Sequence, residues 1–203
     1  IMANKLIVLE GEGQWNDLPS DVEVISPSTY FSDETFQKSR KYKVVNLCKS
    51  YSYQSVGYYV SLLAEARGHK VMPQITTLQD FKFPTLVKED AEDFDDLIQQ
   101  ALKKQSDDKL ELIVCLGNVE DSKLSKVGSL LFNLYQVPML RATFQKKDKW
   151  QLIQLKPLNL RELPENLQSL MKSSLDEYLQ GKNRLNKNYS RKKFDLAILV
   201  NPE

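Results

Sequence analysis

The sequence predicts an α/β fold in which a layered, mostly parallel sheet is flanked by helices and carries an antiparallel β-hairpin. Short apolar strands alternate with helices, the order that arises when helices cross over between parallel strands. Residues 43–73 form the clearest unit: a strand, a polar loop, a helix closed by Gly68 and a second strand. Segments Pro138–Gln145 and Trp150–Lys156 alternate around the turn Lys146–Lys149, which is typical of a hairpin.

Apolar runs of strand length define the predicted strands. In chain order these are Lys5–Leu9, Val22–Ile25, Val44–Cys48, a segment that starts at His69, Leu110–Leu116 and the two hairpin strands. The polar and aromatic stretch Ser28–Lys41 predicts a loop with one short helical turn.

Apolar residues spaced three and four positions apart define the predicted helices. These are Gln54–Arg67, Ala91–Lys104, Asp121–Tyr135 and a helix from Pro164 to about Leu179. Six carboxylates lie before and within the start of the second helix. Acids at a helix start offset the positive end of its dipole, and their spacing lacks the pattern of a calcium loop, so we interpret them as a solvated helix start.

Composition narrows the functional classes. The 203 residues are 41% hydrophobic and contain 28 lysines and arginines against 27 aspartates and glutamates. A full core is therefore expected, while no overall charge marks the protein for nucleic acid or an anionic membrane. Without an apolar run of 18 residues or a signal-peptide pattern, we expect a soluble, cytoplasmic protein with no membrane partner.

The two cysteines, Cys48 and Cys115, lie in separate apolar strands. This placement favours buried, reduced thiols over a disulfide. A catalytic thiol at Cys48 would need a base, and His69 is the only histidine. A zinc site lacks the required ligand spacing, so we expect no metal and no catalytic residue in this chain.

The loop between the central strand and helix is the candidate binding site. Ser50, Ser52 and Ser55 lie at a helix N-terminus, where backbone N–H groups favour an anion, and Tyr51 and Tyr53 would wall such a site. The alternative is structural. In that case the tyrosines pack the helix against the loop, and a glycine at position 57 allows a close approach of the helix.

The C-terminal part of the chain changes character. Residues 182–193 are basic with no acid, which indicates a solvated connector or, less favoured, a nucleic-acid-binding run that uses Tyr189 for stacking. The apolar stretch Phe194–Val200 predicts a strand with nothing after it to cover it. We expect it to be the first strand of a following region, or to form a homodimer by pairing with a second copy.

Residues VVNLCKSYSYQSVGYYVSLLAEARGHKVMP, from Val44, resemble the signature of the N-terminal domain of RimK-like ATP-grasp ligases. The resemblance extends to LIVLE, VPMLRATF, LKPLNLRELP and KKFDLAILVNPE, so it implies an N-terminal domain over 1–181, a linker over 182–193 and a truncated ATP-grasp region over 194–203. The positions that match the signature are Asn46, Cys48, Ser50, Tyr51, Tyr53, Gly57, Tyr58, Tyr59, Glu65 and Arg67. The candidate binding residues are Asn46, Ser50, Tyr51, Ser52, Tyr53, Ser55, Gly57, Tyr58 and Arg67.

The resemblance implies ATP-dependent joining of a carboxylate to an amine through an acyl phosphate, with magnesium holding the nucleotide and with glutamate, peptide or glutathione-like substrates. The segment Gly11–Gly13 is too short to match a glycine-rich phosphate loop. ATP and magnesium are therefore assigned to a downstream ATP-grasp domain, the expected partner, and this chain alone should not turn over ATP. It would be an accessory or substrate-recognition domain. The alternatives are a stand-alone module for a small anion or nucleotide and, disfavoured by the balanced charge, a nucleic-acid-binding domain.

Overall fold

A computed structural model describes residues 4–11, 21–84, 87 and 91–182. The strands are β1 (Asn4–Leu9), β2 (Val22–Ile25), β3 (Tyr42–Leu47), β4 (Lys70–Met72), β5 (Lys109–Cys115), β6 (Met139–Lys146) and β7 (Trp150–Pro157). The helices are α1 (Pro27–Ser32), α2 (Glu34–Lys38), α3 (Val56–Ala66), α4 (Ile75–Asp80), α5 (Asp95–Leu102), α6 (Ser125–Leu134) and α7 (Gln168–Leu179). Three 3₁₀ turns span Ser122–Leu124, Leu160–Glu162 and Glu165–Leu167.

The first half of the chain builds a parallel sheet of four strands in the order β2-β1-β3-β4. All three pairings are parallel, and β1 pairs with β3 along its whole length, from Asn4 opposite Tyr42 to Leu9 opposite Leu47. The α/β class is confirmed. The strand order reverses direction between β1 and β3, because the chain goes from β1 to β2 on one side and later adds β3 on the other.

Both faces of the parallel sheet are covered, which explains its nearly continuous apolar strands. On one face, Leu6, Val8 and Val44 pack against α1, α2 and α3 through side chains such as Tyr30 and Val60. On the opposite face the buried core is shared with the second half of the chain. The sheet residues that contribute to this shared core are Ile7, Leu9, Val45, Leu47 and Met72.

The second half forms a separate antiparallel sheet of three strands, β5-β6-β7. The hairpin β6–β7 is confirmed, with Lys146 opposite Trp150. Strand β5 pairs with β6, from Lys109 opposite Gln145 to Cys115 opposite Met139, and does not join the parallel sheet. An apolar run of this length is compatible with either kind of sheet, so the sequence pattern of β5 alone could not select its partner.

Helices differ most from the sequence prediction in two segments. The segment expected to be mainly loop contains two short helices, α1 and α2, which begin where the side chains of Ser26 and Asp33 cap the backbone N–H groups of Thr29 and Thr35. The helix predicted from Ala91 is interrupted by a turn at Asp93 and Phe94, and its main part is α5, which begins at Asp95 and buries Ile98 and Leu102.

Helix α7 ends against the parallel sheet. The ammonium group of Lys43 on β3 lies 3.7 Å from the centre of the Tyr178 ring and donates a 3.3 Å hydrogen bond to the Tyr178 carbonyl oxygen. A cation at this position also offsets the negative end of the helix dipole. The predicted basic linker beyond Lys182 and the predicted strand Phe194–Val200 lie outside the described residues. Over the described ranges, no helix is both long and apolar enough to span a membrane.

Candidate functional site

A cleft of about 410 Å³ opens between the two halves of the protein, at the carboxyl end of β3. This volume lies within the range of small-molecule sites, roughly 300–1,000 Å³. Three segments line it: the loop after β3, the end of α4 and the turn after β7. The lining residues are Lys49, Ser50, Tyr51, Ser52, Tyr53, Leu78, Phe81, Lys82, Pro157, Leu158, Asn159 and Glu162.

The position of the cleft follows from the topology of the parallel sheet. In open α/β sheets the loops diverge where the strand order reverses, here between β1 and β3, and leave a crevice at the carboxyl ends of these strands. The two loops are joined at this point, because the backbone N–H of Lys49 donates a 3.0 Å hydrogen bond to the Glu10 carboxylate. The cleft therefore occupies the place where such folds bind ligands.

The serine residues of the candidate loop are largely engaged in building the loop itself. The Ser55 hydroxyl caps α3 by accepting from the Tyr58 backbone N–H at 3.2 Å, and it donates to the Ser50 carbonyl oxygen at 2.8 Å. The Ser50 hydroxyl accepts from the Ser52 backbone N–H at 3.2 Å. Gln54 completes the turn with a φ of 64°, in the left-handed region. Ser50 and Ser52 line the cleft, whereas Ser55 lies behind it.

Gly57 lies where α3 touches the loop. A Cβ atom built on Gly57 would lie 2.3 Å from the Ser50 carbonyl oxygen and 2.8 Å from the Cys48 Cβ, so no larger residue fits without movement of the backbone. The close approach expected for this glycine is present. Gly57 is buried, and it shapes the loop without lining the cleft.

Asn46 is also buried behind the cleft, at 0% exposure. Its side-chain amide donates to the Gly57 carbonyl oxygen at 2.7 Å and to the Ser61 hydroxyl at 3.0 Å, while its oxygen accepts from the Cys48 backbone N–H at 3.1 Å. These three bonds satisfy the side chain internally. The structure therefore places Asn46 in a supporting position, behind the cleft.

The tyrosines of the loop divide into two environments. The Tyr51 hydroxyl points inward and donates a 2.7 Å hydrogen bond to the Asn46 carbonyl oxygen, and burial raises the pKa of this phenol. Tyr53 is 61% exposed, and its ring packs edge-on against Tyr58 with centroids 5.2 Å apart. Tyr53 is thus the aromatic side chain of the loop that a ligand could reach most readily.

Two signature residues lie at the other end of α3, away from the cleft. The Arg67 guanidinium donates to the carbonyl oxygens of Tyr30 and Phe31 in α1, at 2.7 and 3.2 Å. The Glu65 carboxylate accepts from the backbone N–H of Ile75 at 2.8 Å, at the start of α4. Both side chains join helices, and the structure does not bring Arg67 together with the other candidate binding residues.

The charged side chains that line the cleft are Lys49, Lys82 and Glu162. Among the described residues, no carboxylate lies within 4 Å of the ammonium group of Lys49 or Lys82 (the four ion pairs found are formed by other lysines and by Arg141). The Lys82 ammonium lies 5.0 Å from the centre of the Tyr53 ring. The Glu162 carboxylate, on the opposite wall, accepts from the backbone and side-chain N–H groups of Asn159 at 3.1 and 2.7 Å.

Sequence reasoning missed Lys49, Lys82, Asn159 and Glu162. Lys49 directly follows β3, so its position at the carboxyl end of a parallel strand was a usable signal. Asn159 and Glu162 have the spacing of a capping box, which the structure contains and which predicts a helical turn. No local signal connects Lys82 to the cleft, because only the packing of α4 brings it there.

The thiol chemistry considered from the sequence has no support in the geometry. Cys48 and Cys115 are both buried free thiols, as expected, and burial raises the pKa of each to about 12. His69 lies within hydrogen-bonding distance of the Tyr30 hydroxyl at 2.8 Å and of the Ser39 carbonyl oxygen at 2.7 Å. Since both ring nitrogens are occupied, His69 is not placed to act as a base for Cys48.

The described residues contain neither a cluster of metal ligands for magnesium nor a glycine-rich phosphate loop for ATP. Across residues 4–11, 21–84, 87 and 91–182, no three side chains of His, Cys, Asp or Glu come together in a way that could hold a metal ion. The loop at the start of α3 contains serines and tyrosines and no glycine-rich phosphate cradle. No catalytic step is therefore assigned to the described part of the chain.

Comparison with known families decides the relationship. The sequence model of the RimK-like ATP-grasp N-terminal domain matches residues 27–174, which is 148 of the 203 positions. The chain belongs to this family. No curated protein and no solved structure matches it. In this RimK-like ATP-grasp N-terminal domain, the matched region begins with α1 and contains every residue that lines the cleft.

Proposed function

We propose that this chain is the N-terminal accessory and substrate-recognition domain of an ATP-dependent carboxylate–amine ligase. The family match over residues 27–174 is the observation that carries the proposal. In the proposed reaction the carboxylate takes the γ-phosphoryl group of ATP, the amine attacks the acyl carbon, and phosphate leaves as the amide forms. ATP and magnesium belong to the ATP-grasp domain, and the role of this chain is to bind and orient a substrate.

The cleft is the proposed recognition site. Lys49 and Lys82 both line it and, within the described structure, neither ammonium group has a carboxylate partner. Cations that lack an internal partner favour an anionic ligand, such as the carboxylate that the ligase would activate. Tyr53, Leu78 and Phe81 add apolar surface against which the rest of a substrate can pack.

The test uses the full-length polypeptide and measures ADP release with panels of amino acids and carboxylates. Removing one charge-assisted hydrogen bond costs about 1.5–3 kcal/mol, so Lys49→Ala and Lys82→Ala should each raise the KM for the substrate by roughly tenfold or more. The KM for ATP should not change. Lys172→Ala, an exposed lysine on α7, is the matched control.

Two outcomes count against the proposal. Absence of ADP release with every carboxylate and amine would remove the ligase assignment. Normal ligation with unchanged KM in both cleft variants would leave the ligase and remove the recognition role of the cleft.

A second candidate, a stand-alone module for a small anion or nucleotide, is favoured by the same two cleft lysines. It predicts that phosphate, nucleotides or acidic amino acids raise the melting temperature of the 203-residue chain alone, and that Lys49→Ala abolishes the increase. If none of these ligands changes the melting temperature, this candidate is removed and the ligase proposal is unaffected. The nucleic-acid alternative depends on residues 182–193, of which only Lys182 is described.

A further inference from the structure

The outer face of α3 is unusually apolar for a helix at the protein surface. Across the described residues, seven large hydrophobic side chains are exposed. Three of them lie on α3, a fourth (Tyr53) lines the cleft, and a fifth (Phe83) directly follows the cleft residue Lys82 in the chain. These five are Tyr53, Val56, Tyr59, Leu62 and Phe83. We call them the α3 surface.

The helix itself contains two apolar sides. Gly57, Val60, Ser61 and Ala64 are buried against the sheet. Val56, Tyr59 and Leu62, three residues apart, are exposed on the other side. Residues 54–63 contain no charged side chain at all. A helix that is apolar on all sides is normally buried on all sides. The composition of α3 therefore indicates that its exposed side packs against another part of a protein.

The composition of the α3 surface is that of a protein interface. Interface cores are enriched in tyrosine and depleted in charged residues, because charged groups are costly to desolvate. Tyr53, Tyr58 and Tyr59 form a chain of edge-on rings with centroids 5.2 and 5.9 Å apart. Such a chain is pre-organised, so little side-chain freedom remains to be lost when a partner docks.

The size of the surface decides which partner it fits. Five partly exposed side chains fall well short of the 20–30 residues per side, about 800 Å², that a free-standing complex uses. A partner joined by the same polypeptide needs much less, because a tether holds it at an effective concentration in the millimolar range. The 21 residues that follow Lys182 can reach up to about 70 Å, enough to place a following domain on any face of this one.

We propose that the α3 surface is the docking site of the ATP-grasp domain that follows in the same polypeptide. This inference rests on the proposed function, since it takes its partner from the ligase architecture. Tyr53 belongs both to the α3 surface and to the cleft. Docking on α3 therefore brings the ATP-grasp domain to the mouth of the proposed recognition site.

Hydroxyl-radical footprinting tests the docking without relying on catalysis. In the full-length protein, labelling of Tyr59, Leu62 and Phe83 should fall several-fold relative to the 203-residue chain. Labelling of Ile153, which has a similar exposure of 37% against 39% for Leu62, should stay the same. Equal labelling of α3 in the two proteins would overturn the proposal. Protection that is already present in the 203-residue chain and rises with its concentration would overturn it too, in favour of a second copy.

Substitutions provide the second readout. Leu62→Glu and Tyr59→Glu should restore labelling of Phe83 in the full-length protein, while Val24→Glu and Ile153→Glu, at equally exposed apolar positions elsewhere, should leave it protected. Circular dichroism checks that all four variants fold. Protected α3 residues in a protein that releases no ADP would support docking while removing the ligase assignment. ADP release by a full-length protein whose α3 residues are fully labelled would support the ligase assignment and overturn the docking.

Discussion

The side-chain amide of Asn46 donates a 2.7 Å hydrogen bond to the carbonyl oxygen of Gly57, which joins the end of β3 to the first turn of α3. Asn46 is wholly buried, and its other bonds reach the Ser61 hydroxyl and the Cys48 backbone N–H. The Ser61 hydroxyl in turn donates to the Pro73 carbonyl oxygen at 2.7 Å. One amide side chain thus fixes how strand, loop and helix meet behind the cleft.

Asn46→Ala should be strongly destabilising, because it leaves the buried backbone N–H of Cys48 without a partner and removes the bonds from Asn46 to the Gly57 carbonyl oxygen and the Ser61 hydroxyl. An unsatisfied buried N–H costs about 1–3 kcal/mol and each of the two lost hydrogen bonds about 0.5–1.5 kcal/mol, so the loss in the free energy of unfolding should be at least about 2 kcal/mol. Urea unfolding measures it. Asn166→Ala, at an exposed asparagine, should change the same quantity by less than about 0.5 kcal/mol. Similar small losses in both variants would mean that the Asn46 network carries little stability.

Gly57→Ala should destabilise the protein by about 1–3 kcal/mol or more, since the new methyl group meets the Ser50 carbonyl oxygen and the Cys48 side chain and forces the backbone apart. The neighbouring Val56→Ala, at an exposed position of the same helical turn, is the matched control and should stay near wild type. Thermal unfolding monitored by circular dichroism compares the two. A wild-type melting temperature for Gly57→Ala would show that helix and loop are not held as closely as described.

Stability should fall as the pH drops below about 6.5, because of His69. Burial lowers the pKa of His69 from its ordinary value of 6.5, and the nearby Arg67 adds to this. The unfolded chain therefore binds the proton more readily than the folded one, so this contribution to stability is complete above pH 6.5 and is lost as the pH decreases toward the folded pKa. Urea midpoints between pH 8 and pH 5 should show the loss.

His69→Gln is the variant that isolates this effect, since glutamine does not titrate. Its urea midpoint should change less over the same range of pH. Aspartates with lowered pKa values, such as Asp33 and Asp95, titrate below their ordinary value of 3.8 and do not interfere in this window. Parallel pH profiles for wild type and variant would refute the assignment to His69.

Neither cysteine should react with thiol reagents in the folded protein. Burial raises the pKa of Cys115 to about 12, and burial together with the nearby Glu10 carboxylate raises that of Cys48 to about 12, so almost no thiolate exists at pH 8. Labelling with iodoacetamide should be slow in buffer and should reach two thiols per chain in urea. Rapid labelling of Cys48 under native conditions would reopen the possibility of an active thiol.

The elements that the sequence predicted well are those with a strong local signal. Apolar runs located the strands to within one or two residues, and Gly68, with a φ of 75°, closes α3 as expected. The helix predicted from Gln54 begins at Val56, with Ser55 as its cap. The pairing of β5 with β6 did not, because an apolar strand pattern does not specify which neighbour it will have.

The candidate site was predicted in part for the same reason. The loop Ser50–Tyr53 lies in the cleft, as its place after a parallel strand indicated. Asn46, Gly57 and Arg67 share the signature but lie behind the cleft or at the far end of α3, since a signature does not separate residues that build a loop from residues that face its ligand. Lys82 and Glu162 reach the cleft only through tertiary packing, which no local pattern records.

The close contact between Gly57 and Ser50 connects the cleft directly to α3, because Ser50 lines the cleft and Gly57 belongs to the helix. The Ser55 hydroxyl bond to the Ser50 carbonyl oxygen reinforces this join. A ligand that displaces the Ser50 backbone is therefore expected to shift α3 as well, because close-packed parts of a protein transmit strain. Ligand binding in the cleft should in this way change the position of the exposed side of α3, where Tyr59 and Leu62 lie.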